Sequence, residues 1–209
     1  MTTELLTKLP ERTIERLSEY RRTLLTLFEK GHSYIYSHEL AGIHSITAVQ
    51  VRRDLMLIGF STVGKKGYNV RQLIDFIGTI LDSPVTCNVA VIGMGNLAQA
   101  ITHYFNGKRS KLRIVVGFDI DPEKVGQKIA DVDCYHTDDF VNVVRMFNIK
   151  VVLLTLPTSV ATSVTEIIKK ADIRGVLNFT SVTLNLGDGV YVEDYDMITL
   201  LEKVAYFSK

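Results

Sequence analysis

Apolar residues recur at helical spacing over the first eighty positions and then form short continuous runs, and the change falls near Pro84. From Pro10 to Gly31, Ile14, Leu17, Leu24, Leu25 and Phe28 keep a helical period. This predicts one amphipathic helix that opens at a first-turn proline and stops at a glycine. Ser37–Ala41 reads as a short helix capped by Ser37, and Gly42-Ile43-His44-Ser45 as a turn. Thr47 and Gln50 fit a capping box that starts a further helix through Ile58, stopped by Gly59. Its inward face is expected to be Val49, Leu55 and Ile58, with Gln50, Arg52 and Arg53 outward. Phe60–Val70 reads as a hairpin with a Gly-Lys-Lys-Gly tip. Arg71–Leu81 reads as an amphipathic linker helix with Leu73, Ile74, Ile77 and Leu81 inward, closed by Asp82-Ser83-Pro84.

After Pro84 strands and helices alternate: strand Asn88–Ile92, helix Asn96–Phe105, strand Leu112–Phe118 ending in Asp119, a helix around Asp138–Phe147, strand Lys150–Thr155, a capped helix from about Ser159 to Lys170, and strand Gly175–Phe179. Such alternation predicts a parallel sheet covered on both faces. The final helix, Asp196–Phe207, is apolar on most sides (Met197, Ile198, Leu200, Leu201, Val204, Ala205, Phe207), which suggests insertion into a partner subunit. The predicted fold is α/β: a winged helix-turn-helix domain over 1–82, a Rossmann-like parallel-sheet domain over 85–195, and a helix over 196–209 exchanged within a homodimer.

Charge sharpens the first part. The net charge of +1 hides five basic residues against one acid between Ser45 and Arg71. Helix, turn, helix and basic hairpin together form a DNA-reading arrangement, whose second helix enters the major groove. Thr47, Gln50, Arg52 and Arg53 supply side chains for base edges and phosphates, and Lys65 and Lys66 for the phosphate backbone.

The second part carries a phosphate-binding turn, Gly93-Met94-Gly95-Asn96-Leu97-Ala98, between an apolar strand and a helix. Gly93 permits the tight turn, Gly95 lets backbone N–H groups approach a pyrophosphate, and Ala98 stands where a third glycine is common. Asp119, ending the second strand, is expected to bind the ribose hydroxyls and repel a 2′-phosphate, favouring NADH and NAD+ over their phosphorylated forms. Leu156, Pro157, Asn178 and Phe179 lie at later strand ends, where the nicotinamide is expected.

The remaining chemistry is sparse. Of five histidines, three precede residue 45, His103 lies in a helix, and His136 is read as a loop residue. None is paired as hydride transfer requires, so binding without turnover is expected, with no catalytic residue and no metal site. Cys87 and Cys134 lack metal-type spacing and read as core residues. No apolar run is long enough to cross a membrane and the first ten residues lack a signal-peptide core, which predicts a cytoplasmic protein. On the residues alone, an NAD-dependent oxidoreductase with a fused helical domain and a CoA- or nucleotide-binding interaction protein stay open as alternatives.

Five segments in order, Gln50–Leu55, Gly93–Leu97, Phe118–Gly126, Leu177–Phe179 and Val192–Asp196, make the chain resemble the Rex family of bacterial redox-sensing transcriptional repressors over nearly its whole length. The resemblance implies homodimers with a swapped C-terminal helix that bind palindromic operator DNA when NADH is scarce and release it when NADH binds. It also implies that Arg16, Tyr104 and Asp196 occupy a polar network that changes between the two states. The wing departs from the family pattern, keeping only Gly64 and Gly67.

Overall fold

A computed structural model of the chain describes residues 9–61, 66–105 and 111–209. Chain contacts divide it into two compact units that meet between Ser83 and Pro84.

In the first unit, helix α1 (Glu11–Glu29) is followed by strand β1 (Tyr34–Ile35), helices α2 (Ser37–Ile43) and α3 (Ala48–Leu57), strand β2 (Tyr68–Asn69) and helix α4 (Val70–Leu81). Its core is built from Leu17, Tyr20, Leu24, Leu40, Val51, Leu55, Leu73 and Ile77. The inward face of α1 is Thr13, Leu17, Tyr20 and Leu24, whereas Ile14 and Phe28 stay exposed. Several expectations shift. Ser37 does not cap α2: the Glu39 carboxylate accepts from Tyr36 N at 2.7 Å, and Ser37 Oγ instead accepts from Arg52. Gly42 lies inside α2, so the turn begins at His44. In α3 the buried apolar residues are Val51 and Leu55, and Val49 is 64% exposed. Asp54 is buried on that same face, and a charge within the stripe disguised its phase. Arg71–Leu81 is no linker, because α4 packs on α1 and its Val70, Leu73 and Ile77 lie in the core. Tyr68–Asn69 pairs antiparallel with Tyr34–Ile35, so the sheet of this unit reaches back to a strand ahead of α2. Residues 62–65 of the expected hairpin, Lys65 among them, lie outside the described residues.

The second unit is a seven-stranded sheet of β3 (Cys87–Ile92), β4 (Leu112–Asp119), β5 (Lys128–Ile129), β6 (Val132–His136), β7 (Ile149–Leu154), β8 (Gly175–Asn178) and β9 (Tyr191–Asp194), in the order β5-β6-β4-β3-β7-β8-β9. All neighbours are parallel except β5 and β6. Leaving out β5, this is the doubly wound order whose direction reverses beside β3, opening a crevice at the carboxyl ends of the strands. Alternate strand residues face opposite ways. Ala90, Ile92, Val116, Phe118, Val152 and Leu154 form one core with α6 (Phe140–Met146) and α7 (Thr158–Lys169). Val89, Val91, Ile114 and Leu153 form the other with Ala98 of α5 (Asn96–Phe105). Strands β5, β6 and β9 were not expected, and His136 ends β6 instead of lying in a loop. No side chain caps α7, which starts after Pro157. The last helix, α8 (Met197–Phe207), has no buried residue.

The tightest polar cluster of the first unit surrounds Asp54, which is fully buried. Arg16 Nε and Nη2 each donate to it at 2.7 Å, Tyr20 Oη at 2.8 Å and Gln50 Nε2 at 2.9 Å. Burial works to raise its pKa, and the bonds from Arg16, Tyr20 and Gln50 outweigh burial and hold it below the ordinary carboxylate value. A depressed carboxylate stabilises the fold above its unfolded-state pKa of about 3.9 and loses that contribution as pH falls through the lower folded value. Asp54→Ala is expected to cost about 3 kcal/mol and to remove this acid-side component, read as faster hydrogen exchange in α1 and α3.

Candidate nucleotide site and nucleic-acid interface

At the crevice, Gly93 N donates to Phe118 O at 2.8 Å as β3 turns into α5. Gly93 has φ +93°, and a Cβ there would stand 2.7 Å from Leu156 Cδ2 and 3.0 Å from Thr155 O, so both backbone and packing demand glycine. The Met94 side chain is fully buried against Gly117, where a Cβ would meet its sulfur at 2.4 Å. Met94 therefore turns its side chain into the core, and its N–H donates to Asp119 Oδ2 at 2.9 Å, so it shapes the turn. Gly95 is different. Its φ is not positive, and a Cβ would meet nothing within 4 Å. Neither conformation nor packing asks for glycine there, as is also true of Gly42 and Gly189; what distinguishes Gly95 is its place at the head of α5, where its bare backbone leaves room for a group from outside the chain. Gln99 N to Gly95 O, 3.1 Å, is among the first bonds of α5, so the N–H groups of Asn96, Leu97 and Ala98 open toward that space with the positive end of the helix. Asn96 and Leu97 are exposed, and Ala98 is buried where helix and strand pack. These residues fit a pyrophosphate.

Asp119 is 8% exposed, and both its oxygens are engaged. Oδ1 accepts from Ile120 N at 2.8 Å and Asp121 N at 3.0 Å, and Oδ2 from Met94 N at 2.9 Å and Lys124 Nζ at 3.0 Å. Burial pushes its pKa up, but the donors from Asp121, Lys124 and Met94 prevail and keep it below the usual value. Beside it a cavity of about 210 Å³ is lined by Ile120, Leu156, Val160, Val164 and Ile167, with Asp138 and Ser163 among its polar members, a largely apolar slot suited to a flat ring. A second hollow of about 310 Å³ lies at the opposite end of the sheet among Arg145, Lys150 and Lys170. Helices α6 and α7 end there with carbonyls outward, and Lys150 is spent on Asp172, so it suits an anion poorly.

Pro157 is exposed and Leu156 half-buried at the end of β7. Asn178 is fully buried and saturated: its amide nitrogen donates to Val182 O and Asp194 Oδ1 at 2.8 and 2.7 Å, and its oxygen accepts from Thr180 N and Oγ1. Its side chain fastens a loop and leaves nothing for a nicotinamide. Phe179 packs edge-on against Tyr195, with ring centroids 5.3 Å apart. Burial pushes Cys134 up to about 11, which leaves an inert thiol.

In the first unit Thr47 Oγ1 accepts from Gln50 N at 3.1 Å, but the Gln50 side chain bonds Asp54 instead of completing the capping box. Arg52 and Arg53 are exposed on α3, with Arg52 Nη1 donating to Ser37 Oγ at 3.0 Å, and Lys66 is exposed ahead of β2. Gly67, at φ +78°, presses on β1, where a Cβ would come 2.8 Å from Ile35 O. Of the residues that the resemblance assigned to a switch, Arg16 is held by Asp54, Tyr104 is exposed on α5, and Asp196 caps α8 through Ile198 N at 2.9 Å and Thr199 Oγ1 at 2.7 Å. Asp54 and Lys124 were missed in the sequence, although both lie inside motifs that drew attention for other residues.

The two glycines are expected to separate stability from binding. Gly93→Val should cost roughly 1–3 kcal/mol through clash and strain. Gly95→Val should leave stability within about 0.5 kcal/mol, as surface changes usually do, while filling the phosphate approach. Urea unfolding of both variants checks this.

Residues 86–182 match the model of the CoA binding domain, and residues 8–55 that of a putative DNA-binding protein N-terminus. The redox-sensing transcriptional repressor Rex of Listeria welshimeri is 37% identical over 96% of this chain and 94% of its own length. The corresponding protein of Anoxybacillus flavithermus is 36% identical over 97% and 95%. Among solved structures, RSP, a Rex-family repressor, in complex with NAD+ and operator DNA superposes with a TM-score of 0.88 at 31% identity, covering 96% of this chain and 93% of that one. The same repressor is also known in complex with NADH, with a TM-score of 0.84 and 31% identity over 96% of this chain and 94% of that one. With a DNA-binding unit, a Rossmann-like unit and relatives matched almost end to end, the chain belongs to the Rex family of redox-sensing transcriptional repressors.

Proposed function

We propose that the protein represses transcription by binding operator DNA as a homodimer in the cytoplasm, and that NADH releases it, so that it reads the ratio of NADH to NAD+. The observation that carries this is Gly95, a glycine required by neither backbone nor packing at the head of a helix, in one chain with a helix-turn-helix whose second helix exposes Arg52 and Arg53. The RSP complexes with NADH and with NAD+ and operator DNA support it. Gly93 and Met94 shape the turn with their N–H groups spent on Phe118 O and Asp119, the open backbone of 95–98 holds the pyrophosphate, Asp119 holds the adenosine ribose, and the cavity beside Ile120 and Leu156 the adenine. The residues at Pro157 and Phe179 flank the nicotinamide. When bound, the dinucleotide supplies the redox signal, and the chain's part is to bind it and to couple that binding to DNA.

Thr47, Arg52 and Arg53 read the major groove, and Lys65 and Lys66 hold phosphates. Gln50 contributes with its amide turned by Asp54. The resemblance gives Arg16, Tyr104 and Asp196 the part of switch residues; here Arg16 is paired with Asp54 within the first unit and Asp196 caps α8 within the second. The homodimer rests on α8, where Met197, Ile198, Leu201, Val204 and Phe207 are each more than half exposed. Water does not favour so large an apolar face, and a second copy covers it. Among the described residues no helix is long and apolar enough to cross a membrane.

Two experiments test the reading. Replacing Arg52 and Arg53 together with Ala should weaken operator binding by about 1–3 kcal/mol per base-contacting arginine, and Lys66→Ala should lower the salt slope by about one unit. Unchanged affinity in a folded double variant removes α3 as the reader. Sedimentation at micromolar concentration should find a dimer, and a chain ended after Asp194 a monomer; a full-length monomer contradicts the homodimer.

A further inference from the structure

The Asp119 carboxylate has about four acceptor positions, and this structure fills all of them. Three of its donors are backbone N–H groups: those of Ile120 and Asp121 belong to the next two residues, and that of Met94 belongs to the glycine turn. None of them can leave without unmaking the loop that holds the site. The fourth donor, Lys124, is a side chain. Its Nζ is 3.0 Å from Asp119 Oδ2 and 3.5 Å from Asp121 Oδ2, and the side chain is 32% exposed. Its ammonium can therefore turn from one carboxylate to the other at little cost.

An acid at this place serves a dinucleotide in two ways, by accepting a ribose hydroxyl and by repelling a 2′-phosphate. Both depend on a carboxylate that is free and uncompensated. Here a hydroxyl gains an acceptor only by taking the place of the ammonium. The charge that a 2′-phosphate meets is that of Asp119 already neutralised, with a cation remaining beside Asp121. We propose that Lys124 is a specificity-determining residue of the nucleotide site: the ribose binds by displacing it from Asp119, and its positive charge softens the exclusion of 2′-phosphorylated dinucleotides. This inference rests on the proposed binding of NADH.

The test titrates the full-length protein with NADH and with NADPH, following nicotinamide fluorescence, in the natural chain and in Lys124→Met, Lys124→Gln and Lys124→Arg. The exposed ion pair is modest, so removing it should tighten NADH binding by about two- to fivefold. In Lys124→Met the ratio of NADPH to NADH dissociation constants should rise by about as much again or more, because the uncovered carboxylate now repels the phosphate. Lys124→Gln keeps a donor and should widen the ratio through lost charge alone, which covers the case of a Met variant that folds poorly. Lys124→Arg, keeping the charge, should hold the ratio within about twofold of the natural chain. A ratio that is unchanged or narrower in both neutral variants overturns the role of Lys124. Failure of the natural chain to bind either dinucleotide overturns the nucleotide-binding reading itself, a different result from an unchanged ratio.

Discussion

The carboxylate of Asp119 is the constraint on which the second unit depends. Parallel pairing sets Ile92 opposite Phe118, so the chain leaves β3 and β4 side by side, next to the point between β3 and β7 where the strand order reverses. One buried acid then bonds Met94 N on the first exit and Ile120 N and Asp121 N on the second. The Met94 side chain sinks into the notch at Gly117 and locks the turn from the other side. With both exits tied together, the start of α5 is aimed before any ligand arrives. Donors fixed in advance spare a ligand the cost of ordering them, and this is why a short turn can hold a pyrophosphate.

The first unit uses the same device for a different polymer. Asp54, also buried, joins α1 to α3 through Arg16 and Tyr20, and it turns the amide of Gln50 on the helix expected to read bases. Leaving a buried carboxylate without partners is costly, so α3 and α1 move together. Each unit thus presents one recognition element held to its scaffold by one paired acid. The composition gives no hint of this, since a net charge of +1 averages over both.

What the sequence made legible follows from how the physics is written in it. A continuous apolar run ending in Gly-Met-Gly is a buried parallel strand meeting a turn that only glycine permits, and β3, α5 and β4 fall where that pattern places them. Strand β6 reads Val-Asp-Cys-Tyr-His, five residues without the apolar continuity of a central strand, and β9 is short and largely exposed. Neither announces itself without its neighbour. The phase of α3 was lost for a related reason: Asp54 sits inward because Arg16 and Tyr20, more than thirty residues away, satisfy it, and periodicity within one helix cannot register a distant partner. Asn178 was expected at the nicotinamide from its place at a strand end, but its four hydrogen bonds go to the loop and to β9, an allocation that a strand-end rule cannot foresee. Residue types located the site; the partners of each side chain decided its role.

The central claim is that dinucleotide and DNA binding are coupled in one chain. It is tested most directly by the anisotropy of a labelled operator duplex, selected from random sequence by the protein itself and bound at fixed ionic strength, as NADH or NAD+ is added. The account predicts that NADH releases the duplex at concentrations where NAD+ leaves it bound. A protein that binds NADH and holds its operator equally tightly with either dinucleotide contradicts it.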